Sequence, residues 1–271
     1  MLTNQQIKQF KSYQQKKYRR QDGVFVAETP KVSEVLFQAD LGIRVVAALD
    51  SWWAEPGNEV QIKMWERKHD RPVERLVLSI KDLERISGLK EPQQVWMLLD
   101  SPEVSLAAME RDAREALYRG CYLLLDDLQD PGNMGTILRI ADWFGLDGIL
   151  CTSACADVFQ PKCVQASMGS VGMVPVVYAA REDWIALVRE KPEALRVYGT
   201  FMRGEDIYGQ TLPKEAAWYV VGNEAKGISP ALGSCVDTRL TIPAHPRHRT
   251  GAESLNAAAA TAILCSEIMR R

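Results

Sequence analysis

The chain has 271 residues and a net charge of -2, with 46% hydrophobic and 25% charged residues. This composition is that of a globular protein and excludes a disordered or fibrous one, while the length suits a small domain joined to a medium one. No apolar run reaches the roughly 18–20 residues of a membrane-spanning helix and the N-terminus lacks the apolar core of a signal peptide, so we expect a cytoplasmic protein.

The first 20 residues combine basic and aromatic side chains and contain no acid. Phe10, Tyr13 and Tyr18 alternate with the basic residues, an arrangement that suits a phosphate backbone with exposed bases. The solvated face of an amphipathic helix has the same pattern, so this segment alone leaves both interpretations open. The basic residues are Lys8, Lys11, Lys16, Lys17, Arg19 and Arg20.

Residues 1–100 predict a compact α/β domain, and residues 101–119 predict a turn and a polar helix that connect it to a second domain. In the first domain, strands are predicted over residues 23–27, 43–49 and 95–99, and helices over residues 31–39, 59–68 and 81–87.

Residues 120–271 alternate regularly between strands and helices, which argues for a mostly parallel sheet covered by helices on both faces. Ligands of such sheets bind beyond the carboxyl ends of the strands, so the loops after the strands are expected to carry the chemistry. Strands are predicted over residues 122–125, 148–151, 174–178, 196–200, 218–221 and 239–242, and helices over residues 134–144, 160–166, 181–190 and 253–270.

The first of these loops and its helix occupy residues 126–145. Residues 130–132 predict a turn and Asn133 a helix N-cap. Arg139 follows Ile137 by about 200° around the helix and so points away from its apolar stripe. By position alone, Arg139 is an ordinary exposed arginine.

The second loop, residues 220–229, has glycines spaced as in a phosphate-binding loop, but Ile228 stands where that motif requires lysine. The chain also lacks a G-x-G-x-x-G motif between a strand and a helix. These departures argue against an NTPase or a nucleotide-dependent oxidoreductase. The glycines suit either a tight turn or close approach of the backbone to a ligand.

The third segment, residues 241–271, places Glu253, Ser254 and Asn256 in the first turn of a long alanine-rich helix. Helix capping explains Ser254 and partly Glu253, and it explains Asn256 less well because asparagine is a poor helix former. His245 and His248 have no third ligand at a suitable spacing, and the six cysteines form no C-x-x-C pair. We therefore expect no metal site.

Taken in order, the three segments resemble the motifs of the SpoU/TrmH family of RNA ribose methyltransferases, within the SPOUT superfamily, over residues 120–271. The N-terminal hundred residues are similar to that family's ribosomal-protein-like substrate-binding domain, with Glu28-Thr29 in place of the usual Glu-Gly. This resemblance favours RNA contact by the basic N-terminus. The motif positions are Asn133 and Arg139 in the first segment, Gly222, Asn223, Glu224 and Gly227 in the second, and Pro243, Glu253, Ser254, Leu255 and Asn256 in the third.

The resemblance implies an α/β SPOUT domain with a deep trefoil knot, S-adenosylmethionine as cofactor, and a homodimer in which Arg139 reaches a site completed by the partner. It also implies that the cofactor lies in the knot loops, held largely by backbone groups. The implied cofactor residues are Thr200, Phe201, Met202, Gly222, Asn223, Gly227, Ile242 and Leu255.

The catalytic residues that the resemblance implies are Arg139, Asn133, Glu224, Ser254 and Asn256. None of them is an obvious base for the ribose hydroxyl proton. Two roles stay open for Arg139: the base that the family's mechanism proposes, or a charged group that binds the adjacent phosphate and stabilises the alkoxide. We assign Ser254 and Asn256 to positioning the ribose and the cofactor-side loop, and Glu224 to loop architecture, with a substrate contact left open.

The segment Ala244–Ala252 is longer than the family's usual link. Its composition predicts a mobile basic flap near the cofactor, which contacts RNA through Arg247 and Arg249. The alternative function is a catalytically silent RNA-binding protein with the same fold. The presence of all five implied catalytic residues argues against that alternative.

Overall fold

The structure is a computed structural model that describes residues 2–102, 104–244 and 254–270. The chain forms two compact units, Met1–Pro102 with Asp157–Met173, and Glu103–Ala156 with Val174–Arg271. Within the described ranges, no helix combines the length and the apolar character needed to cross a membrane.

The first unit contains a four-stranded sheet in the order β1-β4-β2-β3, in which β4 runs antiparallel to β1 and β2, and β2 and β3 are parallel. The third strand was not predicted; it lies at the edge of the sheet, and Leu78 alone of its five residues is buried. The strands are β1 Val24–Glu28, β2 Ile43–Leu49, β3 Glu74–Leu78 and β4 Val95–Asp100, and the helices are α1 Asn4–Ser12, α2 Lys16–Asp22, α3 Pro30–Leu36, α4 Asp50–Trp53, α5 Pro56–His69 and α6 Ile80–Ile86.

The predicted basic N-terminal helix is two helices, α1 and α2, and its aromatic residues divide between core and surface. Phe10 is buried and stacks on Trp96 with ring centroids 4.7 Å apart, and Tyr13 is buried as well. Tyr18 alone of the three aromatic residues is exposed. The hydrophobic core of the first unit therefore uses two of the side chains that suggested base stacking.

Arg19 was predicted to bind RNA, and the structure contradicts this. The side chain is only 4% exposed, and its guanidinium donates to the carbonyls of Tyr13 and Gln14 and forms an ion pair with Asp157, with Nη2 and Oδ2 2.8 Å apart. Burying a guanidinium requires such partners, and here they occupy both of its Nη atoms. Arg19 thus holds the N-terminal helices and is not available to a ligand.

The second unit contains a six-stranded sheet in the order β10-β8-β9-β5-β6-β7, and every neighbouring pair in it is parallel. The predicted α/β class and parallel sheet are therefore confirmed. The α-helices and strands that follow β4 in the chain are α7 Arg111–Ala116, β5 Cys121–Asp126, α8 Pro131–Phe144, β6 Gly148–Thr152, α9 Pro161–Ser167, β7 Val176–Ala179, α10 Arg181–Arg189, β8 Arg196–Asp206, β9 Ala217–Gly222, α11 Pro230–Gly233, β10 Thr238–Thr241 and α12 Ala257–Met269.

Helix α9 belongs to the first unit, although its sequence lies between strands of the second. Phe159, just before this helix, packs on Phe25 of β1 with ring centroids 5.0 Å apart. Gly169, just after it, has a φ of +99°, and a Cβ there would lie 2.6 Å from the Cβ of Val35. Only glycine permits both this conformation and this close approach.

Candidate active site

The first motif loop joins the central strand β5 to α8. Asp130 is the N-cap of α8, because its Oδ1 accepts from the backbone N–H of Asn133 at 2.8 Å, and Pro131 follows at the first helical position, where its missing N–H costs nothing. The prediction that Asn133 caps this helix is therefore wrong. The Asn133 side chain does not cap the helix and makes contacts with the other two motifs.

The second motif loop is a tight turn after β9. Asn223 and Gly227 exchange two backbone hydrogen bonds of 3.0 and 2.8 Å, and Gly227 has a φ of +69°. A Cβ on Gly222 would lie 2.2 Å from the carbonyl carbon of Gly227, so this turn can form only with glycine at position 222. The side chain of Asn223 donates to the carbonyl of Asp127 at 2.8 Å, which ties this turn to the first loop.

Glu224 projects from that turn and binds the start of α8. Its carboxylate accepts from the Asn133 side-chain amide at 3.0 Å and from the backbone N–H groups of Asp130 and Gln129 at 3.2 and 3.4 Å. Partial burial by itself would raise the pKa of Glu224, but these donors together hold it below its ordinary value. Glu224 is therefore an ionised acceptor in a closed network and a poor candidate for a general base.

The third motif meets the other two through Asn256, which is the N-cap of α12. Its Oδ1 accepts from the backbone N–H groups of Ala258 and Ala259, and its Nδ2 donates to Oδ1 of Asn133 at 2.9 Å. Capping thus explains Asn256 and not Ser254, contrary to the sequence interpretation. A continuous hydrogen-bonded chain, Asn256 to Asn133 to Glu224, joins all three motifs, and we call it the motif chain.

Two other implied catalytic residues are not part of the motif chain. Ser254 is exposed, and no hydrogen bond joins its hydroxyl to a described residue. Arg139 lies six residues along α8 from Asn133, which is about 9 Å along the helix axis, and its exposed guanidinium has no hydrogen bond or ion pair with any described residue. The positions Glu253, Arg247, Arg249, His245 and His248, with most of the predicted flap, lie outside the described residues.

Apart from Leu255, which precedes α12, the residues implied to bind the cofactor lie where the pairing of β8 with β9 ends, or at or just after the ends of β9 and β10. The Thr200 hydroxyl donates to the carbonyl of Val220 at 3.0 Å, and the Arg239 guanidinium stacks over the Phe201 ring at 4.5 Å. Met202 and Leu255 expose 69% and 51% of their surface. Exposed apolar side chains and the backbone groups of a glycine turn fit an adenosine, which needs apolar cover and backbone hydrogen-bond partners.

A set of charged residues beside the first loop was missed from the sequence. Arg181, the first residue of α10, binds the carboxylates of Asp126 and Asp127 at the end of β5. The consecutive acids at the end of a buried strand were the available signal. Among the described residues, no group of three histidines, cysteines or acids is arranged to hold a metal ion.

Comparison with known proteins identifies the family. The family model described as SpoU rRNA Methylase family matches residues 120–266, which is more than half of the chain. The chain belongs to the SpoU rRNA methylase family. The model described as MRM3-like substrate binding domain matches residues 4–96, which confirms the predicted type of N-terminal domain.

Three proteins similar to this SpoU-family chain match it over nearly its full length. A 23S rRNA (guanosine(2553)-2'-O)-methyltransferase of Bacillus subtilis is 30% identical, over 96% of this chain and 94% of its own. The solved structure of a TrmH-family protein from Porphyromonas gingivalis is 36% identical with a TM-score of 0.81, covering 100% of this chain and 99% of that one. An AdoMet-bound rRNA methyltransferase from Sinorhizobium meliloti is 28% identical with a TM-score of 0.81, covering 100% and 96%.

Proposed function

We propose that this protein transfers a methyl group from S-adenosylmethionine to a ribose 2'-hydroxyl of RNA, with ribosomal RNA as the substrate class. The observation that carries the proposal is the motif chain, which joins three segments of the family at the carboxyl ends of a parallel sheet. The Bacillus subtilis relative, which is named for 2'-O-methylation of 23S rRNA, supports the substrate class. A cytoplasmic location is part of the proposal.

The bound cofactor would supply the methyl group, and the protein would supply orientation. The reaction needs the ribose oxygen in line with the methyl group, and such positioning accounts for much of the rate of a displacement. We assign the cofactor to Thr200 through Met202, to the Gly222–Gly227 turn, and to Ile242 and Leu255. Asn133, Ser254 and Asn256 position the ribose beside it, and Glu224 fixes the turn. The trefoil knot stays a prediction.

Arg139 is assigned to charge stabilisation. Guanidinium groups stay protonated in proteins, and the exposed Arg139 side chain is free to bind the phosphate next to the target ribose and to stabilise the developing alkoxide. Glu224 already accepts three hydrogen bonds from the first loop. The hydroxyl proton therefore passes to solvent or to the phosphate.

We propose a homodimer through the exposed face of α8. Thr136, Arg139 and Trp143 are spaced to lie on one face of this helix, and Trp143 exposes 85% of its surface. A tryptophan this exposed suits a protein interface, and a second copy there would place its Arg139 near the partner's site. Sedimentation should show that Trp143→Glu shifts the protein from dimer to monomer, whereas a wild-type monomer would contradict the proposal.

RNA binding is assigned to the exposed basic residues of α1 and α2 and to the segment before α12. Tyr18 is exposed beside them and offers a ring for stacking. Affinity for RNA should fall steeply with salt, because each phosphate contact releases counterions. The residues in this assignment are Lys8, Lys11, Lys16, Lys17, Arg20, Arg247 and Arg249.

The deciding experiment combines the protein, labelled S-adenosylmethionine and ribosomal RNA from cells that lack the gene. Digestion to nucleosides should release the label in a single 2'-O-methylnucleoside. We expect Arg139→Ala to lose at least about 100-fold in kcat, roughly 2.7 kcal/mol of transition-state stabilisation. The control Arg189→Ala, an exposed arginine on α10, should stay within twofold of wild type.

Three outcomes would contradict the proposal. Label in a base, or no label with any RNA, would exclude a ribose methyltransferase. RNA binding without calorimetric binding of S-adenosylmethionine would favour the catalytically silent RNA-binding protein.

A further inference from the structure

The carboxylates of Asp126 and Asp127 stand side by side where β5 enters the first motif loop. Asp126 is 1% exposed, and its Oδ2 accepts from the backbone N–H of Ser229, at the end of the second motif loop, at 2.7 Å. Asp127 has a φ of +58°, and its Oδ1 accepts from the Thr152 hydroxyl at 2.6 Å. A buried carboxylate beside a second carboxylate is costly unless a cation pairs with them.

Arg181 is that cation. Its Nε donates to Oδ1 of Asp126 at 2.9 Å, and its Nη2 donates to Oδ2 of Asp127. The bond to Asp126, which is the largest cause, and the charge of Asp127 raise the pKa of Arg181 above its ordinary value. A guanidinium suits this position because its planar fork can bind two carboxylates at fixed angles. We call Arg181, Asp126 and Asp127 the arginine clasp.

The arginine clasp touches both motif loops without belonging to the motif chain. The carbonyl of Asp127 accepts from the Asn223 side chain, and the backbone N–H groups of Gln129 and Asp130 bind Glu224. A rotation of the unfavourable backbone at Asp127 would move that carbonyl and redirect both N–H groups. The conformation of residues 127–130 therefore depends on what holds the Asp127 carboxylate.

We infer that Arg181 is a positioning residue for methyl transfer: by holding Asp126 and Asp127 it keeps the first loop in the conformation that engages Asn223 and Glu224. This inference rests on the proposed function and adds to it a residue outside the three motifs. Arg181 acts through the loop and does not touch the ribose. Its loss should therefore lower kcat and leave the KM for RNA unchanged.

The test is a series of variants assayed with S-adenosylmethionine and ribosomal RNA. Arg181→Met should lower kcat at least tenfold, with the KM for RNA within about twofold of wild type. Arg181→Lys keeps the charge but can bind only one carboxylate well, so its kcat should fall in between. The matched control is Arg189→Met, at the exposed end of the same helix, which should leave kcat unchanged.

A second substitution tests whether charge pairing at the loop is the cause. Asp127→Asn removes one charge and tolerates the same left-handed backbone. The double variant Arg181→Met/Asp127→Asn should have a kcat at least threefold higher than Arg181→Met alone, because the remaining carboxylate then has no charged neighbour. A loss shared with Arg189→Met, or no recovery in the double variant, would overturn the inference.

An activity-independent readout is the NMR signal of the side-chain amides of Asn133 and Asn223, recorded with ¹⁵N-labelled asparagine. Both signals should move in Arg181→Met and stay in place in Arg189→Met. Unmoved signals would overturn the inference even if activity fell. An inactive wild-type protein would contradict the proposed function, whereas the amide signals would still test the arginine clasp.

Discussion

The turns that follow β1 and β9 share a backbone feature, a residue with positive φ, but use different residue types for it. Each strand end is followed by a turn with positive φ and carries a nearby glutamate. The β1 end has Thr29 at a φ of +87° and the β9 end has Gly227 at +69°. The first turn places a β-branched residue where glycine is favoured, whereas the second uses glycine.

The two glutamates differ in their burial and in the direction in which their pKa values are shifted. Glu28 is 8% exposed and accepts from the Ser87 hydroxyl and from the backbone N–H of Gly88, yet burial dominates and raises its pKa. Glu224 is exposed, and its donors lower its pKa despite partial burial. In the first unit the buried Glu28 carboxylate links the end of β1 to Ser87 and Gly88. In the second unit it arranges surface groups that a ligand can reach.

The largest expected effect is at the β9 turn. Gly222→Ala would place a Cβ 2.2 Å from the backbone of Gly227, and backbone cannot yield as a flexible side chain does. We expect a loss of about 3 kcal/mol in the free energy of unfolding, measured in urea. Gly209→Ala is the control, because a Cβ there meets nothing within 4 Å. Equal losses in both variants would show that the turn is not tight.

Asn133→Asp is next. It removes the amide that donates to Glu224 and sets a second carboxylate 3.0 Å away. Like charges at this distance repel, so kcat/KM should fall about 100-fold, which is roughly 2.7 kcal/mol. Asn133→Ala, which only breaks the motif chain, should lose less. If alanine costs as much as aspartate, charge repulsion at Glu224 is not the cause.

Thr29→Gly should stabilise the protein by about 1 kcal/mol. Relief of a strained backbone is worth about 1–3 kcal/mol, which exceeds the entropy cost of glycine and the weak cap that Thr29 gives Val32. Thr29→Ala keeps the strain and loses the cap, so it should destabilise by about 1 kcal/mol. Unfolding curves of the two variants that shift in the same direction would contradict strain at this turn.

The smallest effects are two opposite pH slopes. Because the folded pKa of Glu28 is raised, its stability contribution is present below the unfolded pKa of about 4.3 and is lost as the pH rises through the folded value. Because the folded pKa of Glu224 is lowered, its contribution is present above about 4.3 and is lost as the pH falls through the folded value.

The matched variants Glu28→Gln and Glu224→Gln test these slopes. Relative to wild type, Glu28→Gln should gain stability as the pH rises above about 4.3, and Glu224→Gln should gain stability as the pH falls below it. The free energy of unfolding, measured at several pH values between 3 and 7, provides the check. Slopes of the same sign would remove the distinction between the two strand ends.

Local sequence determined most of the fold of the second unit and the identity of its motifs. The strands predicted over residues 122–125, 148–151 and 218–221 lie within β5, β6 and β9, because buried parallel strands are continuous apolar runs that end at polar loops. The order of the three motifs predicted the family. These features depend on neighbours in the chain, so they can be read from it directly.

Tertiary structure decided how those residues are used. Asn256 donates to Asn133 across 123 positions of sequence, Arg19 reaches Asp157 across 138, and Arg181 reaches Asp126 across 55. No local pattern specifies such partners, because a polar side chain at a loop is equally suited to solvent, to a cap or to a distant carboxylate. Burial and the convergence of strand ends select the partner, and they exist only once the sheet has formed.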